Sequence, residues 1–159
     1  MTLLSASRTN IKRSLDKYFY DNLFTLENIS IHWEGLPFDN VSKTEWITPR
    51  ILEFLPDYIS HGSGTQYGDN LNIIFNINIF VKKSNIVRGG REYALRDKIA
   101  PYFKIGEVIT IYDYSGDSSE VGSMKVRDII TDTILPETDT LYSYALTFLI
   151  NSTTLTVNP

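Results

Sequence analysis

Residues 71–81 constrain the fold more than any other part of the sequence. Apolar and polar side chains alternate along this stretch, which is the pattern of a β-strand with one face on a core and the other facing water or another subunit. The apolar face consists of Leu71, Ile73, Phe75, Ile77, Ile79 and Val81, and the other face carries Asn72, Asn76, Asn78 and Lys82. An all-helical bundle is therefore excluded. The composition agrees, because alanine, the best helix former, occurs only four times in 159 residues.

Two helices are predicted from apolar residues at helical spacing. The first contains Ile11, Leu15, Tyr18, Phe19 and Leu23, with Ser5, Ser7 or Thr9 as its N-cap. The second fits residues 91–100, after Gly89-Gly90 and before Pro101, with Leu95 and Ile99 facing inward.

Extended runs account for most of the remaining chain. They cover residues 28–33, 45–55, 107–114, 122–133 and 140–151, and Pro49 indicates an edge or bulge position in the second run. Residues 56–70 are rich in glycine and are predicted to form one long loop. The order of elements predicts a single α+β domain over residues 1–159, with a mostly antiparallel sheet and two helices packed on one face.

Several classes of site are excluded by residue types. Cysteine is absent, so disulfides, cysteine-based zinc sites and thiol nucleophiles are ruled out. Only two histidines occur, His32 and His61, and neither has the spacing of a metal site. We therefore predict no catalytic, cofactor or metal site. No stretch reaches the length of a membrane span, and the N-terminus lacks the apolar core of a secretion signal, so we expect a soluble protein without membrane contact.

Charge is unevenly distributed along the chain. Residues 82–98 carry a net charge of +4, and residues 104–159 carry −5. One interpretation is a solvated helix face with an i,i+4 pair between Glu92 and Arg96. The other is complementarity between neighbouring copies, or a basic rim facing DNA inside an oligomer.

Aromatic residues in predicted loops suggest contact surfaces, although each could also fold back onto its own core. The candidate surfaces are residues 38–43, 57–69 and 82–91. The candidate contact residues within them are Phe38, Lys43, Tyr58, Tyr67, Lys82, Lys83, Arg88 and Arg91.

The middle of the chain resembles the tail terminator family of long-tailed bacteriophages (minor tail protein U-like proteins). The pattern begins with residues 31–38 (IHWEGLPF), followed by a polar gap and Trp46-Ile47. An alternating strand ending at Phe80-Val81 comes next, then Gly89-Gly90 and a helix that ends in residues 103–106 (FKIG). Where the family often has proline and small residues, this chain carries Lys82, Lys83, Arg88 and Arg91.

The resemblance implies a non-enzymatic virion protein, assembled in the host cytoplasm, that forms a ring on the finished tail tube. Such a ring, typically a hexamer, stops tube polymerisation and joins the tail to the neck of the head. The expected partners are further copies of the chain, the tail tube protein and a neck or head-completion protein, with DNA only as passing cargo in the lumen.

Three alternatives remain open. The chain could be another neck or tail-completion protein or a tail-tube subunit. It could be a small-ligand-binding module that uses the aromatic loops. It could also be an enzyme that uses His61 with Asp57 or Asp69.

Overall fold

The computed structural model describes residues 7–60, 66–84 and 89–157. Ser5, His61 and Arg88, named above as candidate residues, lie outside the described residues.

Each of the two α-helices is followed directly by a second type of helical turn. Helix α1 spans Arg8–Phe19, and its N-cap is Ser7, whose hydroxyl accepts a hydrogen bond from the backbone N–H of Asn10 at 3.4 Å. The chain continues as a π-helix over Tyr20–Leu26, an unusually long stretch for that geometry. Helix α2 spans Arg91–Ile99 and is followed by a short 3₁₀ helix over Ala100–Phe103.

Five strands form one sheet in which every neighbouring pair is antiparallel. The spatial order is β1-β2-β5-β4-β3, so the sheet is centred on the pairing of β2 with β5. The strands are β1 (Glu45–Ser60), β2 (Gln66–Lys82), β3 (Val108–Tyr112), β4 (Glu120–Leu135) and β5 (Leu141–Val157). The predicted α+β fold, with two helices on one face of a mostly antiparallel sheet, is confirmed.

A single core lies between the helices and the inner face of the sheet. All six apolar residues predicted for the inner face of β2 are buried, as are Leu95 and Ile99 of α2. The centre of this core is a cluster of four aromatic rings with centroids 5.0–6.1 Å apart, contributed by α1, β2, the 3₁₀ helix and β5. The rings belong to Phe19, Phe75, Phe103 and Phe148.

The predicted loop over residues 56–70 is wrong where the structure describes it. Residues 56–60 belong to β1 and residues 66–70 to β2, and the two strands pair as far as Ser60 opposite Tyr67. The outer part of β2 also pairs with β5, from Gln66 opposite Val157 onward. Backbone hydrogen bonds to two neighbours thus outweigh the local turn signals of glycine and proline in this segment.

The predicted strand over residues 28–33 is also absent. Asn28 adopts a positive φ of 55° just after the π-helix, and the chain then touches the sheet through one isolated parallel bridge, Ile31 to Ile47. The sheet accordingly has five strands, whereas the extended runs in the sequence predicted six. Ile105, two residues beyond the 3₁₀ helix, is 63% exposed.

Replacement of Phe103 by alanine tests the aromatic cluster. Because Phe103 is fully buried and contacts the rings of three elements, we expect Phe103→Ala to lower the free energy of unfolding by about 3–5 kcal/mol in chemical denaturation. The matched control is Leu26→Ala, at a side chain that is 68% exposed, for which we expect a change below about 0.5 kcal/mol. Equal effects of the two substitutions would contradict this core.

Candidate functional site

Phe38 belongs to a column of four rings on the uncovered face of the sheet. His32 stacks on Phe38 with centroids 4.9 Å apart, Phe38 lies 5.7 Å from Trp46, and Trp46 stacks on Phe80 at 5.6 Å. Trp46 on β1 and Phe80 on β2 are cross-strand partners, so the pairing of these strands positions both rings. Phe38 is thus half-buried against its own chain, which is the fold-back alternative that the sequence left open.

Lys82 holds residues 38–43 onto this column. Its ammonium group lies 5.9 Å from the centroid of Trp46 and donates hydrogen bonds to the backbone carbonyls of Asn40 and Val41. Asp39 closes the same turn by accepting from the N–H of Val41 at 3.0 Å, and this bond lowers the pKa of Asp39. Lys43, at the end of the segment, is exposed.

The next basic residues are also engaged within the chain. Lys83 forms an ion pair of 2.9 Å with Glu137 and lies 4.9 Å from the ring centroid of Tyr142. Arg91 makes a two-point contact with Glu45, at 2.7 and 2.8 Å, which raises the pKa of the guanidinium. The charge of the predicted contact stretch is therefore largely directed at other parts of the same subunit.

Arg96 connects α2 to β4 and β5. Its guanidinium donates two hydrogen bonds to Asp132, at 2.5 and 3.0 Å, and the hydroxyl of Tyr144 donates to the same carboxylate at 2.5 Å. The bonds from Arg96 lower the pKa of Asp132, whereas burial, followed by the bond to Asp132, raises the pKa of Tyr144 to about 12. The i,i+4 interpretation is wrong, because Glu92 is buried and accepts from the N–H of Gly90 at 3.2 Å instead.

The pH dependence of stability tests this network. Because its folded-state pKa is lowered, Asp132 contributes stability that is present above the ordinary aspartate pKa and is lost as pH falls through the folded value. We expect Asp132→Asn to lower the free energy of unfolding by about 1 kcal/mol at neutral pH. The difference from wild type should shrink in acid, as followed by denaturant titrations at several pH values.

The control for that prediction is Asp139→Asn, in the exposed loop before β5. Its stability should follow that of the wild type at every pH. A difference between wild type and Asp132→Asn that stays constant down to strongly acidic pH would contradict the role of the ionised carboxylate.

Two strand edges are covered by the chain itself. Near the start of β1, Ile47 donates to the carbonyl of Ser30 at 3.0 Å, and His32 donates to the carbonyl of Ile47 at 2.9 Å. At the other side of the sheet, the side chains of Ser14 and Asn10 on α1 accept from the backbone N–H groups of Tyr112 and Tyr114, at 2.9 and 3.0 Å. The buried hydroxyl of Ser14 and amide of Asn10 thereby cap the end of β3.

Two other edge segments stay open. Within residues 7–60, 66–84 and 89–157, no backbone group hydrogen-bonds to the outer side of β1 at residues 51–55 or of β4 at residues 128–135. Because β1 and β4 lie on opposite sides of the β2–β5 pair, these segments face away from each other. They are named here the β1 edge and the β4 edge.

Bulges expose apolar side chains on both open edges. Leu52 on the β1 edge and Ile130 on the β4 edge have no partner in register, and they are 60% and 51% exposed. Glu53 follows Leu52, and Arg127 occupies a further bulge in β4. Neither forms an ion pair with any described residue. The sequence signalled only one of these features, through Pro49 as a mark of an edge strand.

A separate apolar hollow lies beside the π-helix. It is an open depression of about 380 Å³, lined by three apolar or aromatic side chains, Tyr20, Trp33 and Leu36, and by three charged ones, Asp16, Lys17 and Glu34. Tyr20 also stacks on Phe24 at 5.1 Å, and both rings are exposed. The pattern of the first helix did not indicate this surface, because the shift from α to π geometry changes which residues face outward.

Two further sequence-predicted contact residues, Tyr58 and Tyr67, lie two register positions apart on neighbouring strands. Tyr58 and Tyr67 belong to paired strands, with their backbones in β1 and β2, rather than to a loop. Among the described residues, no group of three or more histidine, cysteine or acidic side chains could hold a metal ion. The described helices are also too short or too polar to cross a membrane.

Comparison with known proteins adds evidence for the fold. No family model matches the chain, and no curated protein matches its sequence. A solved structure without a functional description resembles it with a TM-score of 0.60 over 96% of this chain and 98% of the other, at 12% sequence identity. The similarity extends over nearly the whole of both chains and shows a shared α+β fold.

Proposed function

We propose that the chain is a structural virion protein that assembles into a ring on the end of a phage tail tube. The ring stops tube polymerisation and joins the tail to the neck of the head. The observation that carries this proposal is the pair of open strand edges on opposite sides of one sheet. The sequence resemblance to tail terminators supports the same assignment and suggests a hexamer.

The two edges suit a ring for a geometric reason. A contact between two different surfaces of the same subunit repeats from copy to copy, and it closes into a ring when the rotation per copy divides a full turn. Open strand edges are sites at which another chain can pair. The chain covers part of its sheet edges with Ser30, His32, Ser14 and Asn10, and the open segments are the contact sites that we propose.

The intrachain pairing of basic residues is relevant to whether the protein binds DNA tightly. Lys82, Lys83 and Arg91 direct their charge to carbonyl or carboxylate oxygens of the same subunit. These three described cations are therefore already engaged within the subunit, whereas tight DNA binding requires many cations that are free to contact phosphates. DNA as passing cargo fits this charge arrangement, with the tail tube protein and a neck protein as the partners on the two faces of the ring.

Assembly with a tail tube tests the proposed function. We expect the purified chain to form rings in light scattering and negative-stain images, at moderate and at high salt. Added to polymerising tail tube protein, it should bind tube ends and shorten the tubes in proportion to its concentration. A strict monomer that neither binds tube ends nor changes tube length would contradict the proposal. Long tubes formed by this chain alone would favour a tube subunit instead.

The hollow beside the π-helix favours a second candidate, a module that binds a small apolar ligand. Its aromatic walls of Tyr20 and Trp33 are suited to a flat ring system. The probe is anilinonaphthalene sulfonate, whose emission rises on transfer to an apolar site. Emission that falls at least tenfold in Trp33→Ala, with Phe38→Ala as the control, would support this candidate. Equal binding by both variants would exclude the hollow.

A further inference from the structure

A hollow and an exposed turn on the two sides of the subunit have complementary chemistry. We infer that the hollow beside the π-helix of one copy receives the turn over residues 104–106 of the next copy. Ile105 enters between the apolar walls of the hollow, and Lys104 meets Glu34 at its rim. This inference rests on the proposed ring assembly and names a contact that holds neighbouring copies together.

The hollow lies beside β1. One of its walls, Trp33, directly follows His32, whose N–H donates to the carbonyl of Ile47 on the outer side of that strand. Glu34, at the rim, also lines a groove that includes Leu52 of the β1 edge. The hollow and the β1 edge therefore form one continuous surface.

The turn over residues 104–106 lies beside β4. The N–H of Gly106 donates to the carbonyl of Val126 at 2.8 Å, and the N–H of Val126 donates to the carbonyl of Glu107 at 2.9 Å. Gly106 has a positive φ of 93°, which glycine adopts without strain, and the turn presents Ile105 to solvent. Because β1 and β4 lie on opposite sides of the β2–β5 pair, a contact between hollow and turn joins copies head to tail.

Apolar surface is exposed on both partners of this contact. Leu36 and Tyr20 in the hollow are each more than half exposed, and Trp33 forms the third wall. The volume of about 380 Å³ leaves room for a branched aliphatic side chain, and Ile105 is such a side chain. No residue of the turn lines the hollow of its own subunit. Contact between two copies would thus remove apolar area of both from water, which favours association.

Charges around the hollow favour a basic partner. Lys12 donates to both carboxylate oxygens of Asp16, at 2.7 and 2.8 Å, but its ammonium lies 3.8 Å from Glu34. Lys17 pairs with Asp21 at 2.6 Å. These five groups carry three negative charges and two positive ones, so one negative charge is in excess, and Glu34 has the longest contact of the three carboxylates.

The turn supplies a basic group of matching position. The side chain of Lys104 is 72% exposed, and its ion pair with Glu107 is long, at 3.9 Å. An exposed ion pair of this kind contributes little to stability, so Lys104 can exchange Glu107 for Glu34 of the neighbouring copy at little cost. The two opposite charges then flank the apolar contact and orient the turn in the hollow.

The same charges oppose a two-fold contact. Two hollows placed face to face would bring one Glu34 near another, and two turns would bring one Lys104 near another. Like charges across an interface are costly. A hollow that meets a turn avoids both arrangements, and such a contact repeats in the same sense from copy to copy, as ring assembly needs.

Cysteine cross-linking tests the contact directly, because the chain contains no cysteine of its own. The double variant Leu36→Cys/Ile105→Cys has one thiol in the hollow and one on the turn. We expect a ladder of covalent oligomers on a denaturing gel after treatment with a short bis-maleimide reagent. Leu36→Cys alone and Ile105→Cys alone should stay monomeric on the same gel. The matched control is Val41→Cys/Ile105→Cys, whose first thiol replaces a side chain that is 85% exposed and lies outside the hollow, and it should give no ladder.

Charge exchange gives a second, independent readout, the dissociation constant from light scattering over a concentration series. Glu34→Lys alone and Lys104→Glu alone should each weaken association by about tenfold, because like charges then meet at every contact. An equimolar mixture of the two variants should recover assembly, since each contact between them again joins a basic side chain to an acidic one. The chain with both substitutions should assemble by itself for the same reason. The matched control is Glu120→Lys, the same change of charge at an exposed position at the start of β4, and it should assemble as the wild type does.

The outcomes separate this inference from the proposed function. A ladder confined to Leu36→Cys/Ile105→Cys, together with recovery in the mixture, supports the contact between hollow and turn. Dimers from a single-cysteine variant would overturn it in favour of a two-fold contact. Rings of the wild type without any ladder would overturn it and leave ring assembly standing, and dye binding that depends on Trp33 would then assign the hollow to a small ligand. A monomeric wild type with no ladder and no effect on tail tubes would overturn both.

Discussion

The pairing of β2 with β5 is the interaction on which the rest of the structure depends. These two 17-residue strands pair from Gln66 opposite Val157 to Lys82 opposite Leu141, and their inner faces supply Phe75 and Phe148 to the aromatic cluster. Among the described strands, β1 pairs only with β2, and β4, which pairs with β3 on its other side, joins the centre of the sheet through β5. Because the partners are far apart in sequence, this pairing also closes a long loop, which makes it the costly step of folding.

In the folded protein, many charged residues pair within one subunit, which the distribution of charge along the sequence did not indicate. The basic stretch and the acidic C-terminal third suggested attraction between neighbouring copies, but Lys83 contacts Glu137 and Arg96 contacts Asp132 within one subunit. The antiparallel sheet brings these segments together, so much of their complementarity is used inside the subunit. By contrast, Glu53 on β1 and Arg127 on β4 form no ion pair with any described residue.

The chain covers part of its strand edges and leaves other parts open. An open edge exposes backbone groups that invite pairing, and this chain covers part of each outer strand with a short segment or with side chains of α1. The stretches left open carry bulges and outward-facing apolar residues. The sheet therefore has two edge segments whose outer side has no backbone hydrogen-bond partner among the described residues.

Much of the fold could be predicted from local pattern, and little of the interaction surface could. The alternation in residues 71–81, the burial of Leu95 and Ile99, and the α+β class follow from periodicities of two and 3.6 that the side chains themselves display. By contrast, the extension of β1 and β2 into the predicted loop, the reduction of residues 28–33 to one bridge, and the open edges depend on which strands become neighbours. The sequence by itself determined which residues of the strand at 71–81 and of α2 face the core, because the periodicity of apolar side chains along one element is a local property. Only the tertiary structure decided which edges and charges remain without partners among the described residues, because that depends on contacts between segments distant along the chain.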